Sequence, residues 1–147
     1  MSENDRTVLD ADLARFAAGL FTAAGAPAGD AALIAKALIW ANLRGVDSHG
    51  VLRIPGYLAR IDNGITNPSP DMQITTDLPA AAVLDADQGF GQVALARATG
   101  IAIEKASAAG IGLCLIRRTV HMGAIGYFAL DIAAEGMAGI AINVSRP

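Results

Sequence analysis

Two histidines, His49 and His121, are the whole supply in this chain, and both sit among glycines, in Ser48-His49-Gly50 and His121-Met122-Gly123-Ala124. An imidazole titrates closest to neutrality of the side chains, which suits it to moving a proton on and off a substrate. Glycine neighbours let a substrate or cofactor approach the backbone closely. A histidine flanked by glycines is by itself more often a polar loop residue than a site. Arg53 shifts the balance for His49. It lies four residues on, so a helix starting near Ser48 places both side chains on one face. That pair matches the needs of a 2-oxo or 2-hydroxy carboxylate: the guanidinium grips the carboxylate in bidentate fashion while the imidazole moves the hydroxyl proton.

A second pattern competes with it. Gly89-Phe90-Gly91-Gln92-Val93-Ala94 fits G-x-G-x-x-A, follows an expected strand and opens an expected helix, the layout of a dinucleotide-binding turn. On that reading Arg117 and Arg118 take a 2′-phosphate. Against it, residues 86–88 lengthen the turn, and Asp85 and Asp87 would face a pyrophosphate. The alternative is a glycine-rich loop and helix start. Cys114, the one cysteine, lies in an apolar run and reads as a small buried core residue; it excludes an internal disulfide and a cysteine-based zinc site.

The elements that must position these residues follow from periodicity. Leu13, Phe16, Ala17, Leu20 and Phe21 recur at helical spacing over residues 10–24, with Asp10 as a cap and Gly25 and Pro27 as the stop. A second helix is expected over 30–44, packed antiparallel to the first. A short helix over 51–61, beginning near Pro55, carries Arg53, Tyr57 and Arg60. Residues 66–70 form an extended linker. Beyond it, strands at 80–85, 111–116 and 137–144 alternate with helices at 91–109 and 125–135, the last two strands expected to be continuously buried. The expected fold is α/β (mixed): an N-terminal helical segment over 1–68 with the Ser-His-Gly motif, then an α/β unit over 69–147.

Composition bounds the function. The 147 residues are 53% hydrophobic, 5% aromatic and 17% charged, which excludes intrinsic disorder. Mean hydropathy is +0.43, yet Lys36, Arg44, His121 and Asp131 interrupt the apolar stretches before any reaches a membrane span. The net charge of −3 and the lack of a basic stripe argue against a nucleic-acid partner. The polar N-terminus has no apolar signal region, so the expected location is the cytoplasm.

The run from Arg44-Gly45-Val46-Asp47-Ser48-His49-Gly50 to Arg53-Ile54-Pro55-Gly56-Tyr57 resembles the N-terminal signature of the malate/L-lactate dehydrogenase family of NAD(P)-dependent oxidoreductases. The later runs Arg60-Ile61-Asp62-Asn63-Gly64, Gly89-Phe90-Gly91-Gln92, His121-Met122-Gly123-Ala124 and Ser145-Arg146-Pro147 resemble it in register. The resemblance implies hydride transfer between NAD or NADP and C2 of a small 2-hydroxy or 2-oxo acid, or a cyclic imine equivalent, on a fold that is not a standard Rossmann fold. It implies that His49 and His121 are catalytic, with the principal acid–base residue left open between them. Arg53 would hold the substrate carboxylate, with Ser48 beside it; Ser145 and Gly123 would meet the cofactor. It also implies a homodimer with sites at the subunit interface. Members of the family run to more than twice this length, so an incomplete, N-terminal part of such an enzyme is expected. Such a part, taken alone, is expected to be inactive and prone to self-association.

Overall fold

A computed structural model describes residues 7–144. Three helices come first: α1 (Asp10–Ala23), α2 (Ala28–Asn42) and α3 (Ile54–Asp62). Then follow β1 (Gln73–Asp77), β2 (Ala81–Asp85), α4 (Gly91–Ala109), β3 (Leu113–Arg117) and α5 (Gly126–Ala134). The described strands make one sheet in the order β1-β2-β3; β1 pairs antiparallel with β2, and β2 pairs parallel with β3. The parallel pair needs a crossover, and α4 supplies it, packing against β2 and β3.

Two apolar clusters hold these elements. In the first, Ala17 and Phe21 of α1 meet Ile34, Ala35 and Leu38 of α2, all fully buried. Phe90, at the start of α4, enters this helical cluster, its ring edge-on to Phe21 at 5.5 Å and to Tyr57 at 6.0 Å. The α4 N-terminus is thereby fixed to α1 and α3, and α3 directly follows the segment that carries His49 and Arg53. The second cluster, Met72, Leu84, Ala86, Ala94 and Ala98, fills the space between β2 and α4.

Several expectations are corrected. The apolar face of α1 is narrower than its periodicity implies: Ala17, Leu20 and Phe21 pack in the helical cluster, while Phe16 points away and is 63% exposed. Asp10 does not cap α1; Leu9 occupies that position, and Asp10 is the first helical residue. No continuous helix starts at Ser48. Two 3₁₀ turns, Asp47–His49 and Val51–Arg53, are split by Gly50 in an extended conformation. β3 is not buried throughout: Leu113 and Leu115 are exposed on one face while Cys114 and Ile116 pack towards α4, the alternation of a sheet covered on one side. β1 was not anticipated, because Gln73-Ile74-Thr75-Thr76-Asp77 has little apolar alternation and all five residues are exposed; its pairing with β2 makes it a strand. Residues 137–144 form no strand, and Ile140 and Val144 are 87% and 90% exposed. Apolar sequence alone does not make a strand; the ladder and cross-strand contacts do, and no described strand lies beside this segment. Among the described residues, no helix is long and apolar enough to cross a membrane.

Candidate active site

His49 is positioned from the end of α2. Asn42, the last residue of that helix, accepts the Val51 backbone N–H at 2.8 Å through Oδ1 and donates through Nδ2 to the Asp47 carboxylate at 2.5 Å. One amide thus clamps the 3₁₀ turn on either side of Gly50. The residue between them must be glycine for steric reasons: a Cβ there would lie 2.6 Å or less from three atoms of the Asn42 amide. Held this way, His49 is half-buried, with the Ser48 hydroxyl 3.0 Å from its Nδ1. Arg53 folds back over the same turn, its Nε donating to the Ser48 carbonyl at 2.5 Å. The rest of its guanidinium makes no hydrogen bond or ion pair among the described residues. The pairing of His49 and Arg53 expected from a helix is therefore achieved by this return contact.

His121 arrives from the loop after β3. Its ring centroid lies 5.5 Å from that of His49 and 5.9 Å from that of Tyr57. The Tyr57 hydroxyl is 2.8 Å from His121 Nδ1, and the Gly123 N–H donates to the same nitrogen at 3.2 Å. Gln92, fully buried in the first turn of α4, donates through Nε2 to the Tyr57 hydroxyl at 2.9 Å. Burial holds the His121 imidazole below the ordinary histidine pKa, and the charges of Arg53, His49 and Arg60 push the same way. Burial raises the Tyr57 phenol, an effect opposed by the Gln92 hydrogen bond and by Arg53 and Arg60. Arg53, Tyr57 and Arg60 are spaced i, i+4 and i+7 across the start and length of α3, which puts a phenol and two guanidinium groups on one side of it. Such a site favours an anion next to a neutral imidazole.

The loop carrying His121 is anchored by the ends of β2 and β3. Asp85, buried at the end of β2, accepts the Asp87 N–H and takes Arg117 through two nitrogens at 3.0 and 2.8 Å. Arg118 reaches both Asp85 at 3.3 Å and Asp87 at 3.1 Å. The Asp87 N–H, with the two arginines, holds the Asp85 carboxyl below the usual carboxylate range against the opposing effect of burial. Asp87, Gln88 and Arg118 all have positive φ, at 48°, 57° and 51°. Non-glycine residues are held this way only where the surroundings over-determine them. Here they bend the two strand ends so that the His121 loop lies on the first turn of α4.

That contact decides the role of the G-x-G pattern. A Cβ on Gly91 would stand 2.5–2.7 Å from the His121 carbonyl group and the Met122 Cα. A Cβ on Gly89 would meet Pro70, Met72 and the Ala86 carbonyl within 2.9 Å. The glycines admit the protein's own backbone, and Arg117 and Arg118 are engaged with Asp85 and Asp87. The turn is the glycine-rich loop and helix start of the two readings the sequence allowed.

The structure therefore brings His49, Ser48, Arg53, His121 and Gly123 together; Ser145 lies outside the described residues. Sequence reasoning gave no role to Asn42, Tyr57 or Gln92. Tyr57 had a signal, the four-residue spacing from Arg53. Gln92 had none beyond its place after Gly91. Cys114 is half-buried, with burial pushing its thiol up. No group of three metal-binding side chains occurs among the described residues.

The chain and its fold have known counterparts. The malate/L-lactate dehydrogenase family matches residues 8–147, and the chain belongs to that family. A malate dehydrogenase of Pyrococcus abyssi is 42% identical over 147 residues, all of this chain and 41% of that protein. An L-sulfolactate dehydrogenase of Methanocaldococcus jannaschii is 38% identical over 123 residues, 84% of this chain and 36% of its own length. The solved malate dehydrogenase of Pyrococcus horikoshii OT3 superposes with a TM-score of 0.88 at 39% identity, covering 92% of this chain and 39% of that one. The chain thus spans about two fifths of the length of the curated relatives it matches.

Proposed function

We propose that the protein carrying this chain is an NAD(P)-dependent dehydrogenase of small 2-hydroxy acids, and that these residues form the substrate side of its site. The observation that carries this reading is the pairing of the two imidazoles, 5.5 Å apart, with Arg53 folded onto the turn that holds one of them. Overall, the hydroxy acid would lose a proton from its hydroxyl to a histidine and a hydride from C2 to the oxidised nicotinamide of a bound cofactor, giving the 2-oxo acid. When bound, the cofactor supplies that hydride chemistry in either direction. We assign Gly123 and Ser145 to its reacting end; at Gly123 a positive φ and the nearness of Gln92 leave little room for a side chain. The turn over residues 89–94 does not fit its phosphates, since its glycines are packed against the chain's own atoms.

On this reading Arg53 grips the substrate carboxylate with the nitrogens that Ser48 does not hold, and Ser48 lines the same turn. The histidines meet the C2 oxygen, with His121 held against Tyr57 of α3 and the first turn of α4. Malate and sulfolactate, the acids named for the relatives, each carry a second anionic group, and Arg60 gives this site a second cation. We place the protein in the cytoplasm as a homodimer. The test is Arg53→Lys in the full-length gene product. A lysine point charge replaces a bidentate grip poorly, so KM for the acid should rise by about tenfold or more while cofactor affinity holds. A raised cofactor Kd with an unchanged KM would make Arg53 a cofactor ligand instead.

A further inference from the structure

The two histidines are not equivalent, and their hydrogen bonds say how. We infer that the chain Gln92–Tyr57–His121 fixes His121 as the Nε2–H tautomer, a neutral hydrogen-bond donor to the substrate oxygen, and leaves proton transfer to His49. The role towards substrate rests on the dehydrogenase reading above; the tautomer rests on the contacts alone.

The direction of the whole chain follows from one backbone amide. The Gly123 N–H can only donate, and it points at His121 Nδ1 from 3.2 Å. That nitrogen therefore carries a lone pair. The Tyr57 hydroxyl lies 2.8 Å from the same nitrogen, so its proton is directed there. The phenol oxygen is left to accept, and the Gln92 amide meets it with N–H at 2.9 Å. The opposite setting of Gln92, carbonyl towards the phenol, would draw the Tyr57 proton away and leave two lone pairs facing across 2.8 Å. Gln92 Oε1 is correspondingly without a partner among the described residues, although it is fully buried. An unmet buried acceptor is unfavourable and by itself favours the opposite setting, so the direction rests on the Gly123 N–H, which fixes the lone pair on His121 Nδ1 and with it the Tyr57 proton.

A neutral imidazole whose Nδ1 accepts has its proton on Nε2. Protonating Nδ1 would set an N–H against the Gly123 N–H. The charged and titratable groups facing the ring oppose it too: Arg53 and Arg60 from α3, and His49. His121 therefore stays neutral, and a neutral imidazole can polarise a carbonyl without itself titrating. His49 has no backbone N–H on its ring. Its Nδ1 has a hydroxyl beside it, which can donate or accept, and its Nε2 is the nitrogen that can take and return the substrate proton. Gln92 and Tyr57 are positioning residues: they act on the reaction through His121.

The experiment is ¹⁵N NMR of the imidazoles in the histidine-labelled full-length gene product. The signals lost in His121→Gln assign His121, and those lost in His49→Gln assign His49. At neutral pH, His121 should show a bare Nδ1 and a protonated Nε2 as a single tautomer. Tyr57→Phe removes one of two donors from Nδ1; the tautomers should mix, and the titration midpoint should rise by up to about one pH unit. Gln92→Leu should move the midpoint in the same direction by less. A protonated Nδ1 or a cationic His121 in the unmutated chain at neutral pH would overturn the inference without recourse to any variant. So would a folded Tyr57→Phe chain with unchanged tautomer and midpoint. Because no turnover is read, these outcomes are independent of whether the dehydrogenase reading holds.

Discussion

Replacing Gly91 with alanine should destabilise the protein, although alanine is the better helix former. A Cβ at Gly91 would lie 2.5 Å from the His121 carbonyl oxygen and 2.6 Å from the Met122 Cα. Both are backbone atoms, so no side-chain rotation relieves the overlap. Restoring ordinary contact requires α4 and the His121 loop to separate by about 0.9 Å. Overpacking of this kind costs about 1–3 kcal/mol. In a chain of this size that lowers Tm by about 2–12 °C. Gly100 provides the internal control: it lies in the same helix, is exposed, and has nothing within 4 Å of where its Cβ would stand. Gly100→Ala should therefore gain the helical preference of alanine, about 0.5–1 kcal/mol, and raise Tm by about 1–4 °C. Thermal melts of the two variants, followed by circular dichroism, should move in opposite directions. A neutral or stabilised Gly91→Ala would mean that the His121 loop does not rest on α4, and the geometry of the site would fall with it.

Two further outcomes follow. Asn42→Ala removes the clamp across Gly50 and leaves the Val51 N–H unmet, so it should lower stability by about 1–3 kcal/mol, read as a fall in the urea midpoint. The acid response should have two parts. His121 binds its proton less readily folded than unfolded, so stability should be unaffected above about pH 6.5 and fall as pH drops from there towards its folded pKa. Asp85 is shifted down, so its contribution should be present above the unfolded carboxylate value of about 3.9 and vanish as pH falls through its folded value. His121→Gln should flatten only the upper window and Asp85→Asn only the lower; urea midpoints across pH decide both.

The elements that sequence made legible were those with local signals at their ends. α4 runs from Gly91 to Ala109, just before the left-handed Gly110, and α1 ends at Ala23, two residues before the left-handed Gly25 that the sequence marks as its stop. The reading failed where structure depends on a neighbour. β1 is polar and exists because β2 pairs with it, whereas residues 137–144 are apolar and form no strand because nothing described pairs with them. The two histidines and Arg53 were legible as types in a pattern. How they meet was not: it depends on Asn42 straddling Gly50 and on Gln92 reaching Tyr57 across 35 positions of sequence. Hydrogen bonds between distant residues leave no period in a single sequence. Gly91 shows the converse, a recognisable motif whose glycine serves close packing against the His121 backbone rather than approach of a ligand.

His49 is the group we propose to move the substrate proton. The direct measurement is nicotinamide absorbance during oxidation of malate, lactate and sulfolactate by the full-length gene product, in its natural form and as His49→Gln. At least one acid should be turned over with NAD or NADP, and His49→Gln should lower kcat by about 10²–10⁴-fold, the yield of general acid–base catalysis. Turnover of none of these acids, or a variant within threefold of the natural protein, would contradict the account.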